Sequence, residues 1–266
     1  MLINNKPFKC FRYSSGELRL VRSELNSFIE NNTVTILSEN DYSLFELLLI
    51  IDYYKQIDVK INLILTYLPY QRMDHKGRDE LNTLGDVANI FNYLKLNSLL
   101  LCEPHSDYED FNNSKKFSYI ENMVDDVFKE VKFNKDEDYI VVTDKGSFKR
   151  YAHLAKHICR FEKERDLNTG IIAKHQIVGD IDVTKKVIIV DDIISTGTTI
   201  LNVVNTLWEM GVKEIYILCG HIENNKQNIS VIKNEKIKKI FSTNSLRKKG
   251  NKKLKLFNVR GFNYDK

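Results

Sequence analysis

The sequence predicts an α/β fold with mainly parallel sheets flanked by helices, arranged in two halves. Three observations carry that reading. Short apolar runs alternate with helical patterns, as parallel βαβ units with right-handed crossovers require. One stretch, residues 187–200 (VIIVDDIISTGTTI), passes from an apolar run into a Gly- and hydroxyl-rich turn and then into a helical pattern. A break in the alternation between about Asn112 and Asp138 separates the halves, placed here as 1–125 and 126–266.

In chain order, strands are expected at 33–37 (TVTIL), 61–66 (INLILT), 98–102 (SLLLC), 139–143 (YIVVT), 157–161 (HICRF), 187–190 (VIIV) and 215–219 (IYILC). Helical patterns lie at 43–55, 84–94, 118–130, 149–155 and 199–211; in the last, Ile200, Val203, Val204, Leu207 and Trp208 mark one face. The run 187–190 is apolar throughout, so its strand is expected to be buried on both faces and to end at Asp191 and Asp192. Ser195, Thr196, Gly197, Thr198 and Thr199 then form a tight turn into the helix. Unpaired N–H groups and the helix dipole favour an anion there, which makes the turn a phosphate candidate. The acidic pair cannot bind that phosphate; it is placed to accept hydrogen bonds from sugar hydroxyls, or to hold a cation through water. A capped βα turn with two solvated Asp is the plain alternative, because helix caps use the same residue types.

Composition narrows the classes. A chain of 266 residues with 42% hydrophobic content can bury one large core or two modest ones. No apolar run approaches the roughly 20 residues of a membrane span, and MLINNKPFKC lacks the apolar core of a secretory signal, so cytoplasmic residence and no membrane partner are expected. Cys10, Cys102, Cys159 and Cys219 are scattered, three of them in strand-like runs, which predicts buried thiols rather than disulfides or a zinc cluster. The net charge of +4, from 40 Lys and Arg against 36 Asp and Glu, is too small to argue for nucleic acid. The basic concentration at 236–255 is expected to be solvated surface and loop.

Ligands of parallel α/β sheets bind beyond the carboxyl ends of the strands, so polar residues there are the candidates for chemistry. The strand at 61–66 runs into 67–76 (YLPYQRMDHK), where a Pro-Tyr entry fixes the backbone. The strand at 98–102 ends in Glu103, Pro104 and His105, and that at 139–143 in Asp144. A shared metal or phosphate site at His105 and Asp144 is one reading; a structural His is the other. After 157–161 come Glu162, Lys163, Glu164, Arg165 and Asp166. Strand alternation puts Lys163 and Arg165 on one face, where two cations suit a polyphosphate whose charge builds during transfer. A solvated hairpin edge has the same pattern.

The residues from 187 to 200 resemble the phosphoribosyltransferase-type signature. Taken in order, the blocks resemble the ribose-phosphate diphosphokinase (phosphoribosyl pyrophosphate synthetase) family along nearly the whole chain. Tyr13-Ser14-Ser15-Gly16-Glu17 is similar to the family's N-terminal ATP element, and Pro69-Tyr70-Gln71-Arg72-Met73-Asp74-His75-Lys76 to its adenine and phosphate block. Glu103-Pro104-His105 looks like the segment whose His is a magnesium ligand, and Asp144 to Arg150 like the one whose Asp serves metal and ribose. Lys163-Glu164-Arg165 matches the mobile catalytic segment, and Val178-Gly179-Asp180 also fits. The resemblance implies two phosphoribosyltransferase-like domains, an N-terminal one with the ATP blocks and a C-terminal one with the ribose-phosphate loop. It implies transfer of the β,γ-diphosphate of ATP to the anomeric hydroxyl of ribose 5-phosphate, releasing AMP. Mg²⁺ would be held by His105 and Asp144, and ATP by Tyr13, Ser15, Glu17, Arg72, Met73 and Asp74. Lys163 and Arg165 would be catalytic. Asp191, Asp192 and Ser195 to Thr199 would bind ribose and its phosphate. Because Glu17 would serve a neighbour's ATP site, a homodimer or higher homo-oligomer is implied.

Four departures stand out. The chain is shorter than typical members, with an N-terminal strand and helix expected to be missing. Met73 replaces a Gln, Glu103-Pro104 replaces Asp-Leu, and Ser195 and Thr198 stand where synthetases have Asp and, in many, Gly. A loop relieved of one carboxylate tolerates more negative charge near the 5-position, which raises a larger 5-substituted ribose such as ADP-ribose as an alternative acceptor, against neutral drift. A phosphoribosyltransferase would need the same loop without the ATP blocks. A non-catalytic regulatory homologue would show damage at Lys163, Arg165, His105, Asp144, Asp191 or Asp192, and all are intact.

Overall fold

Two mainly parallel sheets form, one in each of two compact units, Met1–Phe117 and Ser118–Lys266. The computed structural model describes residues 1–39, 43–74, 81–106, 110–165 and 172–265. Residue 125, the boundary expected from sequence, falls inside a helix of the second unit.

The first unit begins with β1 (Leu2–Ile3), β2 (Lys6–Pro7), the small hairpin of β3 (Phe11–Arg12) and β4 (Leu18–Arg19), and α1 (Arg22–Asn26). It continues as β5 (Thr33–Ser38), α2 (Leu44–Gln56), β6 (Lys60–Leu65), α3 (Thr83–Leu94), β7 (Ser98–Cys102) and β8 (Ser114–Phe117). The sheet order is β2-β1-β5-β6-β7-β8, with β5 to β8 parallel and β1 and β2 antiparallel at one edge. Ser43 and Glu46 close a reciprocal capping box at the start of α2. The helix then buries Leu47, Ile50, Ile51 and Tyr54 on the i, i+3, i+4, i+7 stripe that faces a core. Asn82 caps α3, which buries Leu84, Val87, Ala88, Phe91 and Leu94 against the same core.

The second unit runs α4 (Tyr119–Val131), β9 (Tyr139–Val142), α5 (Lys145–Tyr151), β10 (His157–Arg165), β11 (Ile172–Val178), β12 (Val187–Ile194), α6 (Thr198–Met210), β13 (Ile215–Ile222), α7 (Ile229–Lys233), β14 (Ile237–Thr243) and β15 (Leu254–Phe257). Its order is β11-β10-β9-β12-β13-β14-β15, parallel except for β11, which pairs antiparallel with β10. Val187, Ile188, Ile189 and Val190 are all fully buried at the centre, as their unbroken apolar run predicts. Cys102, Cys159 and Cys219 are buried free thiols and Cys10 is partly buried; burial pushes the Cys159 thiol up to about 11.

Three expectations are corrected. β12 does not stop before the acidic pair but carries Asp191 and Asp192 inside it, since Ile193 and Ile194 keep pairing with His221 and Ile222. The helix expected at 149–155 begins four residues earlier as α5, because the Asp144 carboxylate caps it immediately after β9. The basic stretch 236–255 is not only surface loop. It holds β14 and β15, whose Ile237, Ile240, Phe241 and Leu254 are core while Lys239 and Lys255 both reach Glu130.

Candidate active site

Parallel pairing of β9 with β12 sets Asp144 and Asp191 beyond neighbouring strand positions, since Val142 is paired with Val190. Each strand then leads toward a helix N-terminus, and the two ends are built differently. At α5 the Asp144 Oδ1 accepts from the Ser147 N–H at 2.7 Å. At α6 the capping position is Gly197, with no side-chain cap. Gly197 adopts φ +85°, and a Cβ there would lie 2.2 Å from Val231 Cγ2, so both the backbone and the space require glycine. Thr196 and Thr198 hydroxyls lie 3.1 Å apart beside it, both residues exposed, and the Leu201 N–H already closes the first helical bond to Gly197. The Thr198 N–H donates to the Thr196 hydroxyl at 3.4 Å, and a helix end lined by hydroxyls with no side-chain cap from Gly197 suits an anion.

The acidic pair has two environments. Asp192 is 1% exposed and accepts from Arg150 Nη2 at 2.9 Å. Asp191 accepts from Ser147 Oγ at 3.3 Å and from the Asp192 N–H at 3.1 Å. Burial, and then the negative charge of Asp192, push the Asp191 carboxyl up to about 8, against a hydrogen bond from Thr143. Ser147, fully buried, touches both Asp144 and Asp191 and joins the two strand ends into one polar cluster. Ser147 and Arg150 fall within the block quoted from sequence without being singled out. Their helical spacing after an Asp cap, with Arg150 one turn beyond Ser147, is the signal that would have found them.

Lys163 and Arg165 lie two apart at the end of β10, opposite His175 and Ile172 of β11, and the register shifts between Glu164 and Arg165. Ser195 and Thr199 are partly buried in the loop and first turn of α6. Beneath this loop Asn225 and Asn228 donate to the Ser195 carbonyl, and Arg247 in turn donates to Asn228; the sequence carries no pattern for these three.

The other candidates belong to the first unit. Tyr13, Ser15 and Glu17 form the turn between β3 and β4: the Tyr13 N–H donates to the Glu17 carbonyl at 3.0 Å, and Ser15 Oγ to Glu17 Oε2 at 2.8 Å. Arg12 ties this hairpin to α2 through Glu46, whose carboxyl that hydrogen bond holds below the usual range. Arg72 and Met73 are exposed and Asp74 partly buried on the turn after β6, while His75 and Lys76 fall outside the described residues. Gln71, 1% exposed, accepts from the His105 N–H at 2.9 Å through Oε1, which brings the ends of β6 and β7 together. Among the described residues, no group of three or more His, Cys, Asp or Glu is arranged as a ready metal cage, and no helix is long and apolar enough to cross a membrane.

A parallel sheet whose central strand runs through two acids into a hydroxyl-lined helix N-terminus defines a protein of the phosphoribosyltransferase type. The phosphoribosyl transferase domain family matches residues 113–248. The ribose-phosphate pyrophosphokinase of Halalkalibacterium halodurans is 30% identical over 246 residues, covering 88% of this chain and 76% of that protein. That of Saccharolobus solfataricus is 28% identical over 206 residues, covering 74% of this chain and 70% of that one. The phosphoribosylpyrophosphate synthetase of Mycobacterium smegmatis shares the fold, with a TM-score of 0.75 at 23% identity over 95% of this chain and 86% of that chain. The chain belongs to the ribose-phosphate pyrophosphokinase family, and it is an enzyme of that kind.

Proposed function

We propose that the protein transfers the β,γ-diphosphate of ATP to the anomeric hydroxyl of ribose 5-phosphate, releasing AMP and forming phosphoribosyl pyrophosphate. The observation that carries this reading is the uncapped N-terminus of α6, which directly follows the strand bearing the Asp191–Asp192 pair. The names of the relatives agree with it. The new bond joins the anomeric oxygen to the β-phosphorus, the bond broken is that between the β-phosphorus and the oxygen it shares with the α-phosphorus, and AMP keeps that oxygen. Such transfer depends on alignment and charge neutralisation more than on covalent chemistry.

The second unit takes the acceptor. The 5-phosphate sits on the Ser195–Thr199 backbone at the start of α6, and the Asp191 carboxylate accepts hydrogen bonds from the ribose hydroxyls, with Asp192 fixed behind it by Arg150. Lys163 and Arg165 of β10 would neutralise the charge that develops on the transferred phosphates. The first unit supplies the ATP blocks, Arg72 to Asp74, with Tyr13, Ser15 and Glu17 reaching a neighbour's nucleotide in a homodimer or larger assembly. Mg²⁺ fits the donor set of the second unit. Burial and the charges of Asp192 and Asp144 hold Asp191 protonated to about pH 8, and a cation relieves that crowding. Few carboxylates with several waters suit the small, reluctantly dehydrated ion. Asp144 and Asp191 would hold it, His105 being added by the resemblance, and it would neutralise charge on the phosphates.

The test is AMP release from ATP and Mg²⁺ with ribose 5-phosphate or ADP-ribose as acceptor, products read by mass spectrometry. A product one diphosphate heavier from ribose 5-phosphate is expected. Transfer to ADP-ribose alone would move the reading to a 5-substituted ribose, and AMP from neither would reject diphosphate transfer.

A further inference from the structure

The loop that would hold the acceptor's phosphate is not supported by its own strand and helix alone. The Ser195 carbonyl accepts two side-chain amides from a different part of the chain, Asn225 Nδ2 at 3.2 Å and Asn228 Nδ2 at 3.1 Å. Both belong to the turn between β13 and α7. Asn228 occupies the capping position of α7, yet its side chain does not cap that helix. Its Nδ2 donates instead to Ser195 O and, at 2.7 Å, to Glu223 O, while its Oδ1 accepts from Arg247 Nη2 at 2.9 Å. Its backbone N–H donates to Asn225 Oδ1 at 3.0 Å. Asn228 has no exposed surface.

Arg247, from the turn after β14, also reaches the Glu223 and Asn225 carbonyls at 3.2 and 3.3 Å, so one guanidinium nitrogen fixes the whole turn. The same turn and α7 also pack beside the loop. Beside the Val231 contact that forbids a side chain at Gly197, the Asn228 Cα lies 3.8 Å from where that Cβ would stand. A buried amide spent on a neighbouring loop, rather than on the helix it begins, is a specific use of a costly group. The chain guanidinium, amide, carbonyl also runs into the Ser195–Thr196 peptide. Hydrogen bonds accepted by that carbonyl polarise its peptide unit, which strengthens Thr196 N–H as a donor.

We infer that Asn228, oriented by Arg247, is a positioning residue that fixes the 195–199 loop in its anion-gripping conformation. It touches no reacting atom; it acts through Ser195. This rests on the proposed acceptor site for its catalytic consequence, but not for its structural one. The full-length protein and its Asn228→Asp and Asn228→Ala variants are compared by amide hydrogen exchange of the loop and by KM for ribose 5-phosphate and for ATP. Asp keeps the shape and the Arg247 partner and removes only the donor, setting a carboxylate against two carbonyls.

Exchange faster by about tenfold in residues 195–201, with the β12 and β13 core unchanged, is the expected result for both variants. The acceptor KM should rise about tenfold, the scale of one lost hydrogen bond, with the ATP KM within twofold. A merely space-filling Asn228 predicts normal behaviour in Asp and general loosening in Ala, and that pattern overturns the inference. Unchanged loop exchange in folded Asn228→Asp overturns it as well. Should the wild type fail to use ribose 5-phosphate, the proposed acceptor falls, and loop exchange alone decides the inference. Should Asn228→Ala unfold, the Asp variant decides.

Discussion

Two helices of the second unit start beside each other and are finished in opposite ways. α5 follows β9 and is closed by the Asp144 carboxylate, which takes the Ser147 N–H and sets a negative charge at the positive end of the helix dipole. α6 follows the adjacent strand β12 and begins at a glycine, which has no side chain to cap it. α2, α3 and α4 side with α5, capped by Ser43, Asn82 and Ser118. A cap worth about 1 kcal/mol is therefore forgone at α6, the one described helix of seven or more residues without it. The difference teaches that local stability and anion binding compete for the same N–H groups, and that α6 is left open where α5 is spent on stability.

Moving the chemistry of α5 onto α6 should have the largest effect. Thr198 is exposed at the first turn of α6, and Thr198→Asp places a carboxylate where the phosphate would lie. Like-charge juxtaposition costs several kcal/mol, so acceptor KM should rise by roughly a hundredfold or more, with ATP KM little changed. The melting temperature should hold or rise slightly, because an acid in the first turn favours the helix. Steady-state kinetics beside a thermal melt would show both. A hundredfold loss accompanied by an equally impaired fold would sink the idea that α6 is open for a ligand.

The second effect concerns the carboxylate between the helices. Asp191 holds its proton to about pH 8 in the folded protein, whereas an unfolded Asp loses it near 3.9. Between those values the folded state binds more protons, so this residue's contribution to stability falls as pH rises from about 4 to about 8. Asp191→Asn should therefore raise the metal-free melting temperature at pH 8 by a few degrees, with little change at pH 4, while abolishing diphosphate transfer. Mg²⁺ should stabilise the wild type at pH 8 and leave the variant unmoved. A variant destabilised at pH 8 would show instead that Asp191 is an ordinary structural acceptor.

Much of this contrast was legible in the sequence, and some was not. The run VIIV and the STGTT turn reveal strand, loop and helix because each obeys a local rule: an apolar run, a glycine where φ is positive, a helical stripe after it. Asp191 and Asp192 were placed after the strand, since carboxylates are poor strand formers; pairing of Ile193 and Ile194 with β13 overrides that preference. β14 and β15 were hidden for a related reason, their lysines interrupting the core positions Ile237, Ile240 and Leu254. Asn225 and Asn228 had no local signature, because their partner Ser195 lies 30 and 33 residues away in sequence, and Arg247 lies 19 residues from its partner Asn228. Long-range side-chain-to-backbone bonds leave no period to read.

The smallest effect separates the two duties of Asp144. As the cap of α5 it needs only an oxygen that accepts from the Ser147 N–H; as a partner to Asp191 and a cation it needs a charge. Asp144→Ala removes both and should cost about 1 kcal/mol, or some 2–4 °C in melting temperature. Asp144→Ser keeps a capping oxygen without the charge, so most of that loss should return while transfer remains impaired. The Asp191 carboxyl, freed of one negative neighbour, should titrate lower in both variants. If Ser restores activity as well as stability, Asp144 is a cap and nothing more, and α5 then differs from α6 only in being finished.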